Sequence, residues 1–185
     1  MDLREYLRES QQAMDGVMQF EEIIVSMADE IWKKVTQGGT IYWMGNGGSA
    51  GDSQHLSTEL VGRFSRLRKP IRSQSLTTNT SLITALANDD GYETIFSRQV
   101  EAFVTNKDVV IGISTSGASK NILLGLQEAG KRGATVIGFT NNLPNQMGIY
   151  CDMIFKAPSN VTGVVQQMHI TLGQALCLVL ENKIE

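Results

Sequence analysis

Apolar residues recur at spacings of three and four along the first 36 residues: Leu3, Leu7, Met14, Val17 and Met18, then Phe20, Ile23, Ile24, Met27, Ile31 and Val35. That period predicts helix. Gly16 offers a break into two helices, and Gly38-Gly39 stops the segment. An apolar-striped arm of this length carries more surface than one small domain covers. Part of the stripe is therefore expected to meet other copies of the chain.

From Thr40 the pattern changes to short apolar runs separated by helical stretches. Ile41 to Met44, Val109 to Ile113 and Thr135 to Phe139 are near-continuous and rich in β-branched residues, as expected of strands covered on both faces. Ile71 to Leu76 and Asp152 to Phe155 are weaker strand candidates. Helical patterns lie near 50–64, 80–88, 92–104, 119–132 and 162–182. This alternation predicts βαβ units: an α/β fold with a mostly parallel five-stranded sheet, behind the helical arm of residues 1–36. No long linker or repeat interrupts residues 40–185, so the chain reads as one domain.

Composition narrows the function classes. A net charge of −3 lacks the basic excess usual in nucleic-acid binding, and none is expected here. Arg63, Arg66, Arg68, Lys69 and Arg72 form a local basic cluster, read first as a solvated helix C-terminus. Cys151 and Cys177 lack metal-ligand spacing and read as buried thiols of a reducing compartment. With no signal-peptide pattern and no unbroken apolar run of about 18 residues, a cytoplasmic protein without membrane contact is expected.

Two loops carry candidate chemistry. Gly45-Asn46-Gly47-Gly48-Ser49 passes from strand to helix; glycines let the backbone approach a ligand, and the helix offers unpaired N–H groups to an anion. It is neither a Rossmann fingerprint nor a P-loop. Ser114-Thr115-Ser116-Gly117-Ala118-Ser119 also follows a buried strand and opens a helix, with Ser119 placed as N-cap. Its hydroxyls suit phosphate oxygens. Ligands of open α/β sheets collect beyond the C-terminal strand ends, so both loops should face one crevice and hold a phosphorylated sugar.

Together with Asp52 to Phe64, Ala87-Asn88-Asp89-Asp90-Gly91, Ile95 to Ala102 and Gln166-Gln167-Met168-His169, these loops resemble the sugar isomerase (SIS) domain, and within it the phosphoheptose isomerases. The resemblance implies a flavodoxin-like three-layer sandwich and a homotetramer with active sites between subunits. It implies a sedoheptulose 7-phosphate isomerase that works through an enediol in heptose synthesis for surface polysaccharide. Phosphate would be held by Ser114, Thr115, Ser116 and Ser119. Asn46, Gly47, Gly48, Ser49, Asn88 and Asp89 would lie near the reacting end, with Arg63 also at the substrate. Some relatives hold zinc through His, Glu, Gln and a second His; His55, Glu59 and Gln166 match the first three.

His55 and Glu59, four apart on a predicted helix, share one face. Alone, such a pair reads as a surface contact; its place after the first loop and the resemblance make Glu59 the candidate general base. The position of the family's second histidine holds Gln174, an amide that cannot relay protons and binds zinc poorly. Gly163-Val164-Val165 stands where an arginine is common. His169, three residues after Gln166, is either the acid or a structural histidine. Gln174 leaves two alternatives open: a catalytically reduced relative that binds a phosphosugar or a protein partner of the replication-initiator type, or an enzyme for another sugar.

Overall fold

The computed structural model describes residues 1–184. The arm breaks where Gly16 predicts: α1 (Leu3–Asp15) ends on Gly16, a 3-10 turn (Val17–Phe20) follows, and α2 is Glu21–Val35. Asp2 and Glu5 close a reciprocal capping box at the start of α1, satisfying two backbone donors that a helix otherwise leaves free. Then come β1 (Ile41–Gly45), α3 (Gly48–Val61), β2 (Ser73–Ser75), α4 (Thr80–Asp89), α5 (Ser97–Phe103), β3 (Val109–Ile113), α6 (Lys120–Lys131), β4 (Thr135–Asn141), β5 (Met153–Ala157) and α7 (Thr162–Asn182).

All five strands are parallel, in the order β2-β1-β3-β4-β5. Alternate side chains of each strand enter opposite layers. Ile41, Trp43, Ile111, Ile137 and Phe139 pack under α2, α3 and α7, whereas Tyr42, Met44, Val110 and Val136 pack under α5 and α6. Burial on both faces explains why the central strands read as continuous apolar runs rather than alternating ones. The architecture is the expected three-layer sandwich.

Three boundaries differ from the sequence pattern. β2 keeps only Ser73–Ser75: on its N-terminal side Ile71 N–H donates to the Leu60 carbonyl at the end of α3 rather than to the sheet, and on its C-terminal side Leu76 N–H makes the last bond to Trp43 of β1. The predicted helix over 92–104 is a 3-10 turn (Tyr92–Thr94) followed by α5, since Ile95 and Phe96 between them both turn into the core. β5 runs two residues beyond the predicted end.

α7 is long and apolar enough to cross a membrane, but its apolar residues serve the core. Val164, Val165, Met168, Leu172, Leu176 and Leu180 are buried beneath the sheet. α3 lies alongside α7 in parallel register: Gln166 covers Gly48, Gly173 receives Leu56, and Glu181 meets Phe64. α1 covers the far side of α7 through Tyr6, whose hydroxyl accepts from Gln167 Nε2 at 2.9 Å. Ala13 is the one α1 residue in the core; Leu3, Leu7, Met14 and, just beyond the helix, Met18 remain exposed.

Candidate functional site

Chain order reverses between β1 and β3. The chain leaves β1 toward β2 on one side and continues from β3 toward β4 on the other, which opens a crevice beyond their C-terminal ends. Both predicted loops line it, because one follows β1 and the other β3.

In the first loop, Gly47 takes φ +55°, a conformation open to glycine, and turns the chain into α3. A Cβ on Gly48 would stand 2.5 Å from Gln166 Nε2, so Gln166 lies directly against the start of α3. Ser49 is buried beneath Gly45 and accepts from Ser53 through its carbonyl; it is part of the loop's foundation. Asn46 and Asn121 exchange amide hydrogen bonds, both 2.8 Å, which lock the first loop to the first turn of α6. Tyr92 adds a third contact by donating its hydroxyl to Asn46 Oδ1 at 3.0 Å.

The second loop gathers its hydroxyls. Ser114 Oγ lies 3.2 Å from Ser119 Oγ and 3.5 Å from Ser116 Oγ, and accepts from Gly117 N–H. Ser119 is the N-cap residue of α6, as expected, but its hydroxyl caps no backbone N–H. It turns to Ser114 instead. Thr115 is half-buried beside them. The result is an uncharged cradle in front of a helix N-terminus, suited to phosphate oxygens.

On α3, His55 Nε2 lies 2.9 Å from Glu59 Oε1. Glu59 is largely covered, its side chain 18% exposed, whereas the His55 ring is 49% exposed. An ionised carboxylate only accepts, so the shared proton belongs to the imidazole Nε2. Gln174 Nε2 approaches the same ring nitrogen at 3.5 Å. Asp52, one turn before His55, has a buried Oδ2 without a hydrogen-bond partner. Burial raises its carboxyl above the usual range, with His55 pulling the other way.

The backbone at Glu59 is clamped from behind. Arg68 donates to the carbonyls of Glu59 and Leu60 at 2.7 Å, capping the end of α3. Its guanidinium Nε is 3.3 Å from Glu181 Oε1, with both side chains almost fully buried. Glu181 accepts in turn from the backbone N–H groups of Phe64, Ser65 and Arg66. The basic cluster is a helix end as expected, but at Arg68 it is a buried one.

Of the remaining expected site residues, His169 falls in the core. His169 is fully buried between Phe139 and Phe155, with Nε2–H donating to the Thr140 carbonyl at 3.1 Å. Burial pushes its pKa down to about 4, although that carbonyl works against the shift. It is a core residue and cannot be the acid of an open site. Arg63 is exposed just beyond the end of α3, one turn past Glu59. Asn88 and Asp89 lie exposed at the end of α4 and bond to each other at 2.7 Å.

One chain's donor set falls short of a catalytic zinc site. Catalytic zinc draws on about three His, Cys, Asp or Glu ligands, and no such group of three exists among the described residues. His55 and Glu59 supply two. Gln166, expected as the third, stands eight residues from Gln174 along α7, roughly 12 Å away. The positions of Gly48 and His55 against α7 place these two amides at separate ends of the groove.

Asn121, Tyr92 and Asp52 were not identified as site residues from sequence. An asparagine in a helix first turn and a tyrosine after a glycine are ordinary, and only the closed crevice reveals their role.

A model of the SIS domain family matches residues 5–141. The chain is 43% identical over 183 residues to the probable phosphoheptose isomerase of Thermoplasma acidophilum, covering 99% of this chain and 100% of that protein. It is 45% identical over 165 residues to the phosphoheptose isomerase of Aquifex aeolicus, covering 89% and 86%. The solved phosphoheptose isomerase GmhA of Neisseria gonorrhoeae superposes with a TM-score of 0.90 at 32% identity, over 97% of both chains. That of Francisella tularensis superposes at 0.93 with 28% identity, over 98% and 97%. Fold and sequence agree over most of the chain, and the chain belongs to the SIS domain family.

Proposed function

We propose that this chain is a phosphoheptose isomerase: it interconverts sedoheptulose 7-phosphate and D-glycero-D-manno-heptose 7-phosphate through an enediol, in the cytoplasm, for heptose supply to surface polysaccharide. The observation that carries the chemistry is the half-buried Glu59 carboxylate hydrogen-bonded to His55 on the helix that opens from the glycine loop. Two relatives above 40% identity bear the name of that activity. They favour it over a non-catalytic binding protein.

The serine loop holds the phosphate. Glu59 removes the C1 proton of the ketose while the C2 carbonyl oxygen gains a proton, giving the enediol. The O1 hydroxyl then loses its proton and C2 gains one, giving the aldose. Gln174 cannot titrate, so proton traffic between O1 and O2 falls to the His55–Glu59 pair.

The distances favour an assembled site. Glu59 is eleven residues past Gly48, roughly 16 Å back along α3 from the crevice. A seven-carbon chain and its phosphate span about 10 Å at ordinary bond lengths. A substrate seated in one chain's crevice does not extend that far back along α3, which supports a site whose missing half comes from a second copy. The exposed stripe Leu3, Leu7, Met14 and Met18 offers the surface for this, in a homotetramer.

The test is incubation with sedoheptulose 7-phosphate in deuterated water, followed by NMR. Deuterium at C1 or C2 and an aldose product are expected. A protein that binds the sugar phosphate yet exchanges no proton at high concentration is a binding protein instead.

A further inference from the structure

The phosphate cradle on the serine loop contains hydroxyls and backbone N–H groups but no charge. A cation stands next to it. Lys120 is the first residue of α6, directly after Ser119, and its side chain is 72% exposed. Its Nζ lies 3.1 Å from Glu93 Oε1. Glu93 belongs to the 3-10 turn Tyr92–Thr94, whose Tyr92 bonds to Asn46 of the first loop. The turn therefore forms a strap across the crevice mouth, tied to one loop by Tyr92 and to the other by Glu93. Beneath it is a cleft of about 300 Å³ lined by Asn46, Tyr92, Glu93, Ser119, Lys120 and Asn121.

We propose that Lys120 is a phosphate-binding residue held in reserve by Glu93, exchanging its carboxylate partner for the substrate phosphate when the serine loop is filled. The inference rests on the isomerase reading for the identity of the sugar, but not for the phosphate. An exposed Lys–Glu pair holds only weakly, so a dianion in the cradle can displace the carboxylate. Lys120 suits this role because an ammonium on a flexible stem acts as a point charge that several phosphate positions can use. Glu93 then keeps the lysine at the cleft when it is empty and competes with an incoming anion for it. The pair would select phosphorylated sugars over free ones.

The test uses inorganic phosphate, titrated into the full-length protein by calorimetry, alongside isomerase kinetics on sedoheptulose 7-phosphate. Lys120→Met should weaken phosphate binding and raise KM by about 10-fold with kcat within about twofold, the signature of lost uniform binding. Glu93→Gln should tighten phosphate a few-fold by removing the competitor. In the double variant the Glu93→Gln gain should disappear, since it acts only through Lys120. Unchanged phosphate affinity in Lys120→Met overturns the proposal even when the protein turns over the sugar. Conversely, Lys120-dependent phosphate binding without turnover upholds it while removing the isomerase reading. A Glu93→Gln gain that persists in the double variant also overturns it, because Glu93 would then act as a bare repulsive charge.

Discussion

Gln174 rests against His55, amide nitrogen to ring nitrogen at 3.5 Å, at the point where His55 gives its proton to Glu59. Gln174, where the resemblance to the family leads one to expect a second imidazole, fills that space without titrating. Glu59→Gln should lower isomerisation by about 10²–10⁴-fold, the range for loss of a general base. Gln174→His adds a third titratable ligand beside His55 and Glu59, and its clearest readout is metal content. We expect zinc in the purified Gln174→His protein well above that in the parent, by elemental analysis. Equal and stoichiometric zinc in both would mean that the parent completes a metal site despite its amides.

The placement of Gln174 was legible in the sequence because α3 and α7 run in register, so a match in spacing became a match in space. The strands were legible for a similar reason: burial on both faces leaves an unbroken apolar run. His169 was not. Three residues after Gln166 suggests a shared face, yet α7 is buried over so wide an arc that Gln166 meets the first loop while His169 enters the core. Asn121 and Tyr92 were hidden for another reason. Their partners are 75 and 46 residues away, and nothing local marks an asparagine that will pair across a crevice.

His169 and Glu181 give the fold a defined response to acid. His169 is buried and neutral, with a folded pKa of about 4 against 6.5 for an ordinary histidine. Below pH 6.5 the unfolded chain takes up a proton that the folded chain refuses. Stability therefore falls from about pH 6.5 to 4, by on the order of 3 kcal/mol. Glu181 follows at lower pH. Burial alone would raise its carboxyl, but hydrogen bonds from Ser65, Phe64 and Arg66 bring it down to about 2 from 4.5. Its contribution is complete above pH 4.5 and lost as pH falls toward 2. Urea unfolding at stepped pH should show both limbs. His169→Gln, which keeps a donor for Thr140, should flatten the upper one only; an unchanged upper limb would assign it to other groups.

Gly117 tests the serine loop without touching a hydroxyl. Its φ is +62°, and a Cβ there would lie 2.3 Å from Asn145 Cγ and 2.5 Å from Thr140 Oγ1. Gly117→Ala must distort the loop or push Asn145 off the end of β4. A stability loss of about 1–3 kcal/mol is expected, with a larger relative loss in affinity for inorganic phosphate, because the Ser114 acceptor of Gly117 N–H moves with it. Thermal unfolding and phosphate titration on the same sample separate the two. Retained phosphate affinity in a folded Gly117→Ala protein would move the anion site off this loop.

The last prediction concerns assembly. Leu3, Leu7 and Met18 are each more than half exposed, on an arm whose other side covers α7. Single apolar residues at a surface are ordinary, but Leu3, Leu7 and Met14 share one face of α1, with Met18 exposed just beyond its end, as an interface between copies would place them. Leu7→Glu with Met18→Glu places charges in that stripe while leaving Tyr6 and Ala13 in contact with the core. Light scattering coupled to gel filtration should show the parent as an oligomer and the double variant shifted toward monomer. If one copy's serine loop needs another copy's Glu59, activity should fall with the assembled fraction. Raising protein concentration should recover specific activity, whereas phosphate binding, which one chain's loop supplies, should stay. A monomeric variant with full activity would show instead that each chain closes its own site, by a movement of α3 toward the crevice.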